Sequence, residues 1–156
     1  MVFYFKTGRN LMPLIALDRF TEHDILSNDK CFFIYKENEK KEGGNHFLRS
    51  AAHGLPLTMK ASPSHGKTSY WYDIDFRYNV EMVEQDIDRI RNILNLGGIV
   101  FIESKFLQEE DNSPMKTTAP KTLDYITYAL KNLFKVHQPK YISPNLRSPR
   151  TLPLGS

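Results

Sequence analysis

Two stretches of this 156-residue chain carry residue types at spacings that suit chemistry. The first is Phe33-Ile34-Tyr35-Lys36-Glu37-Asn38, followed by Gly43-Gly44-Asn45-His46. An apolar run that ends in polar residues delivers side chains to a crevice. A glycine pair lets backbone approach a ligand closely, and a helix N-terminus behind it offers N–H groups to an anion. A plain strand-to-helix loop with glycines at its turns explains the same residues. The second stretch is Gly54-Leu55-Pro56-Leu57-Thr58-Met59-Lys60, with Ser62-Pro63 and then Tyr70-Trp71-Tyr72-Asp73. The Thr58 hydroxyl and the Lys60 ammonium suit an anionic group. Tyr70 suits stacking on a base, worth ~1–3 kcal/mol in single-strand binders. The plain alternative is that these aromatics fill core.

Other chemical signals are weaker. His23, His46, His53, His65 and His137 show no metal-ligand spacing, so no metal is expected. Gly66-Lys67-Thr68 matches the close of a nucleotide-phosphate loop, but the first glycine of that pattern is replaced by Ala61. Asp73 and Asp75, two apart, would share one face of a strand and suit a divalent ion; solvated acids at a strand edge are the more common case. Cys31 lies in an apolar run and reads as a small buried hydrophobe, not a nucleophile. Asp73 and Glu37 are the carboxylates available to activate water, should the chain be an enzyme.

The elements that must position these residues follow from periodicity. Val2–Lys6 reads as a strand, and Thr21 as the cap of a helical turn through Leu26. Cys31–Tyr35 is a short apolar run typical of a strand buried on both faces. Lys36–Asn45 reads as a polar loop, and His46–Ala52 as a short helix. Residues 55–78 read as a loop with short extended pieces. Val80, Val83, Ile87, Ile90 and Leu94 recur at helical spacing, with Glu84, Asp86, Asp88, Arg89 and Arg91 on the polar side, and Gly97-Gly98 ends the helix. Ile99–Ile102 is a second buried strand. Residues 103–117 form a polar loop, and Thr118 caps a final helix with Pro120 in its first turn and Leu123, Ile126, Leu130 and Leu133 on its apolar face. Strands alternating with helices predict an α/β domain over residues 1–137, with a mostly parallel or mixed central sheet flanked by helices. Ligands in such folds bind beyond the carboxyl ends of the strands.

The order of these motifs carries a resemblance. A strand ending Tyr-x-x-Asn, Gly-Gly before a helix, Gly-Leu-Pro-x-Thr-x-Lys, Ser-Pro, Tyr-x-x-Asp, a long helix, a buried strand and Ala-Pro-x-Thr-x-x-Tyr follow one another from Ile25 to Leu133. This succession resembles a family of small phage-borne α/β proteins, itself similar in layout to macro domains, which bind ADP-ribose. The resemblance implies a macro-domain-like fold. It matches Asn38 to an asparagine facing the distal ribose, and Gly43 and Gly44 to the glycine turn beside the ligand. Thr58 and Lys60 match a Gly-Ile-Pro-Thr-Lys run, here stretched by Leu57 and Met59, and Asp73 matches the acid after the aromatics. The chain departs from the pattern at Lys36 and Glu37, where Gly and Asp are expected, and at His46, where a small residue is usual. The segment 103–112 lacks the glycines that cradle a diphosphate and contains Glu109-Glu110-Asp111, which repel one.

Composition bounds the function. Apolar residues make up 40% and charged residues 25%, an ordinary globular balance. No run approaches the ~20 apolar residues that span a bilayer, and a single cysteine excludes an internal disulfide, so a cytoplasmic home is expected (host cytoplasm, if phage-encoded). The net charge of +3 resides in Lys140, Arg147 and Arg150, since residues 1–137 hold 18 basic and 18 acidic side chains. A neutral body makes nucleic acid an unexpected partner. Residues 138–156 form a basic, Pro-rich extended tail, whose apolar anchors suggest docking on a second copy of the chain.

The leading expectation is therefore a binding protein for a nucleotide-derived small molecule, ADP-ribose-like or a cyclic-nucleotide signal, serving phage counter-defence or host takeover. Its ligand residues are Asn38, Gly43, Gly44, Thr58, Lys60 and Tyr70, with no cofactor. Two alternatives stay open: an ADP-ribosyl or nucleotide hydrolase using Asp73 or Glu37, and a degenerate scaffold that binds and inhibits a host protein.

Overall fold

The computed structural model describes residues 14–44, 46–64, 66–107 and 113–137. The strand expected at Val2–Lys6 and the tail at 138–156 lie outside the described residues. Four strands, β1 (Leu14–Leu17), β2 (Phe32–Asn38), β3 (Gly54–Lys60) and β4 (Val100–Glu103), form one sheet in the order β1-β4-β2-β3. Every pairing is parallel. Parallel strands need crossovers, and the helices supply them: α1 (Glu22–Ser27), α2 (His46–Ser50) and α3 (Phe76–Asn95). Two further helices, α4 (Ser113–Thr118) and α5 (Pro120–His137), follow β4.

Strand alternation sends neighbouring residues to opposite faces. Ile34, Leu55, Leu57, Val100 and Ile102 pack on one side with Val83, Ile87 and Ile90 of α3 and Leu123, Ile126 and Leu130 of α5. Phe33, Tyr35 and Phe101 pack on the other with Ile25 of α1 and Leu48 of α2. There the Phe33 and Phe101 rings stack at 5.3 Å, and Phe20 meets Phe33 edge-on at 5.0 Å. Cys31 is buried in this second layer, and burial, then the nearby Asp29 charge, push its thiol up to about 11. A thiol so protonated is a packing group, in keeping with its sequence context.

Local signals explain several boundaries. Thr21 caps α1 with a reciprocal capping box: its hydroxyl accepts from the Asp24 N–H at 3.2 Å, and the Asp24 carboxylate accepts from the Thr21 N–H at 2.9 Å. Helix α3 starts at Phe76, four residues before the apolar stripe, and ends in a Schellman motif. Gly98 N–H donates to the Ile93 carbonyl and Gly97 N–H to the Leu94 carbonyl, with Gly97 at φ +89°.

Four expectations are corrected. Residues 54–60 form one continuous strand, where a loop with only short extended pieces is expected from residue 55 on. Pro56 suggested otherwise, yet β3 is the sheet edge, where the missing N–H has no ladder partner to lose. Thr58, two residues on, sends its N–H to the Asp86 carboxylate at 2.8 Å instead of to another strand. Asp86 therefore belongs not to the solvated face of α3 but to the interior, 8% exposed. Finally, Thr118 does not cap α5. It ends α4, and its buried hydroxyl has no hydrogen-bond partner. The segment 103–117, expected as loop, contains a short turn at Ser104–Leu107 and α4.

Burial raises the Asp86 carboxyl above its ordinary value, against the lowering effect of the Thr58 hydrogen bonds. A group with a raised folded-state pKa loses stability for the fold as pH climbs through that value. Asp86→Asn keeps an acceptor for Thr58 and removes the charge. Its stability relative to wild type should rise with pH across the acid range in urea unfolding. Asp86→Ala leaves the Thr58 N–H unpaired and should cost about 1–3 kcal/mol at neutral pH.

Candidate functional site

The carboxyl ends of β2 and β3 carry two neighbouring clusters. In the first, Arg49 of α2 grips Glu37 through Nε and Nη2, each 2.6 Å from a carboxylate oxygen. Glu37 also accepts from the Asn38 N–H at 3.0 Å and the Tyr35 hydroxyl at 3.3 Å. Burial alone would raise the Glu37 pKa, but these donors and the Arg49 charge outweigh it and hold the group below the usual range. Burial and the adjacent Glu37 push the Tyr35 phenol up to about 12. Asn38 ties the following loop, donating to the Glu42 carbonyl at 2.8 Å, while Arg49 Nη1 donates to the Gly43 carbonyl at 3.1 Å. Gly43 has φ +69°, and a Cβ there would lie 3.2 Å from Pro63. The glycine thus lets the β2 loop approach the β3 loop.

The second cluster is a cleft of about 520 Å³ between these loops and the first turns of α3. Tyr70, Trp71, Tyr72 and Tyr78 form its walls, with Glu39 and Asn79 among the polar residues lining it. The Glu39 carboxylate is held from two sides. Trp71 Nε1–H donates to Oε2 at 2.8 Å, and the Tyr78 hydroxyl donates to Oε1. That bond raises the Tyr78 phenol above its ordinary value and keeps it a donor. Lys60 lies 4.7 Å from the Tyr70 ring centroid and donates to the Ser64 carbonyl at 3.0 Å, with its pKa lowered by burial.

The expected site residues are thereby divided. Tyr70 lines the cleft, and Lys60, not itself part of the lining, packs on the same ring. Asn38, Gly43, Gly44 and Glu37 form the adjacent loop cluster. Thr58, 6% exposed, is tied to Asp86. Asp73 does something else: its carboxylate accepts from the N–H groups of Lys121 and Thr122, at 2.8 and 3.0 Å, and from the Thr122 hydroxyl at 2.9 Å. It caps α5 from 48 residues away, the task that Thr118 was expected to perform. Partial burial works to raise its pKa, and the three hydrogen bonds overcome that and lower it. Sequence reasoning missed Glu39, Tyr78 and Asn79. Aromatics clustered just before a helix are the one signal that points to this region.

Among the described residues no three His, Cys, Asp or Glu side chains gather to hold a metal, and no helix is long and apolar enough to cross a membrane. Fold and cleft together define a parallel α/β protein with a pocket at the carboxyl edge of its sheet. The chain belongs to a family of unknown function, DUF7831, whose model matches residues 15–129. No curated protein and no solved structure matches it.

Two substitutions test these roles. Arg49→Ala leaves the Glu37 side chain, 1% exposed, buried without its partner and should cost about 3–5 kcal/mol. Asp73→Ala should cost about 1 kcal/mol at neutral pH through loss of the α5 cap. Because the folded-state pKa of Asp73 is lowered, its contribution is present above the unfolded carboxyl value and lost as pH falls through the folded one. The gap between variant and wild type in thermal unfolding should therefore close on acidification.

Proposed function

We propose that this protein binds a nucleotide-derived small molecule in the cleft beside Glu39 and Tyr70. The observation that carries this reading is the lining: four aromatic rings converge with a pre-oriented carboxylate outside the carboxyl ends of parallel strands. Planar rings give stacking surface to a base, and Tyr72 and Tyr78, 37% and 49% exposed, leave theirs open to solvent. The exposed Lys67 on the cleft rim supplies a cation for a phosphate. A macro-domain-like relation between strands and ligand, with an ADP-ribose-like or cyclic-nucleotide ligand, is part of the proposal.

Binding is favoured over hydrolysis by the state of the two candidate catalytic carboxylates. Glu37 is closed by the Arg49 fork, and Asp73 is spent on the α5 N-terminus. Neither lines the cleft.

Thermal unfolding in the presence of ADP-ribose, NAD, cyclic nucleotides and nucleoside monophosphates tests the proposal. A ligand at a hundred times its Kd adds about 2.7 kcal/mol, a rise of several degrees in Tm. At least one compound should produce such a rise, and Tyr78→Ala should reduce it. No rise with any of them at millimolar concentration would remove the proposal.

A further inference from the structure

The cleft is unequal in its hydrogen-bonding groups. Trp71 Nε1–H, the Tyr78 hydroxyl and Asn79 Nδ2 spend their donors on protein acceptors, while Lys67 and Thr68 lie exposed at the rim. Each Glu39 oxygen takes one donor from the protein, from Trp71 or Tyr78, and a carboxylate oxygen has two lone pairs. One acceptor position per oxygen therefore remains, on a group whose direction is already set. Asn79, 1% exposed, fixes the cleft wall from within the protein. Its Nδ2 donates to the Tyr72 carbonyl at 3.0 Å and to the Thr122 hydroxyl at 3.2 Å, and its buried Oδ1 has no partner. The amide cannot be turned around, because the Tyr72 carbonyl demands an N–H. Asp75 brings a further carboxylate to the same lining.

We infer that the cleft selects a guanine-type ring over an adenine-type ring, with Glu39 as the specificity-determining residue. This rests on the reading of the cleft as a nucleotide site. Guanine presents N–H donors side by side at N1 and N2, matching the two acceptor positions of one carboxylate. Adenine presents the N1 lone pair there, which faces a fixed negative charge. Glu39 is half-buried, and a bound ring that displaces its water without offering a donor leaves the carboxylate unmatched, so the discrimination comes as much from rejection as from attraction.

Calorimetric titration of the full chain with GMP, IMP and AMP provides the test. IMP keeps the N1–H and lacks the 2-amino group. GMP should bind at least about tenfold tighter than IMP, and AMP more weakly than either. Glu39→Gln, which replaces one acceptor by a donor, should bring GMP and AMP within about threefold of each other. If Glu39→Gln loses its circular-dichroism signature of folding, the wild-type comparison of GMP with IMP decides alone. AMP binding as tightly as GMP overturns guanine selection and leaves nucleotide binding standing. Binding of none of the three, with no response in the thermal series, overturns both.

Discussion

A parallel sheet must be covered on both faces, and this constraint organises the molecule. Parallel neighbours cannot be joined by a tight turn, so each connection crosses the sheet and brings a helix against it. The central strand β2 shows the result. Ile34 is sealed under α3 and α5, while Phe33 and Tyr35 are sealed under α1 and α2. With both faces closed, the carboxyl edge is where loops can gather around a ligand. The β2 loop, the β3 loop and the first turns of α3 meet there because β2 and β3 are adjacent and α3 packs beside β3.

Carboxylates divide the labour at that edge. Glu37 is locked by Arg49 and orders the glycine loop. Asp86 covers an N–H on the unpaired side of the edge strand, where a bare ladder would invite another chain. Asp73 bonds to the start of α5 and so links the turn before α3 to the last described helix. Glu39 differs from these three. Its partners are aromatic donors that line the cleft with it, so the bonds that orient the carboxylate also hold the walls of the pocket.

Much of the fold was legible where periodicity and capping chemistry act locally. Of the stripe from Val80 to Leu94 all members but the half-buried Val80 are buried, and the stop at Gly97-Gly98, the buried runs in β2 and β4, and the Thr21 cap match the structure. The misreadings share a cause. Pro56 argued against a strand because a proline is costly only inside a sheet, and the position of β3 at the edge depends on the whole topology. Helical spacing puts Asp86 on the polar side of α3, because spacing cannot tell which polar residue meets an edge strand. Thr118 has the residue type and position of a cap, yet Asp73 provides that cap from a distant part of the chain.

The sequence by itself determined an α/β chain with strands and helices in alternation, a neutral body over residues 1–137, and a lone cysteine suited to packing. Those properties follow from composition and from contacts between residues close in sequence. Tertiary structure decided which residues share a site. It placed Tyr70 in the cleft, drew Glu37 into the Arg49 fork, gave Asp73 to α5, and put Glu39 between Trp71 and Tyr78, 32 and 39 residues away. The physical reason is that a side chain's role is set by its hydrogen-bond partners and its burial. For these groups both arise from segments that meet only when the sheet closes.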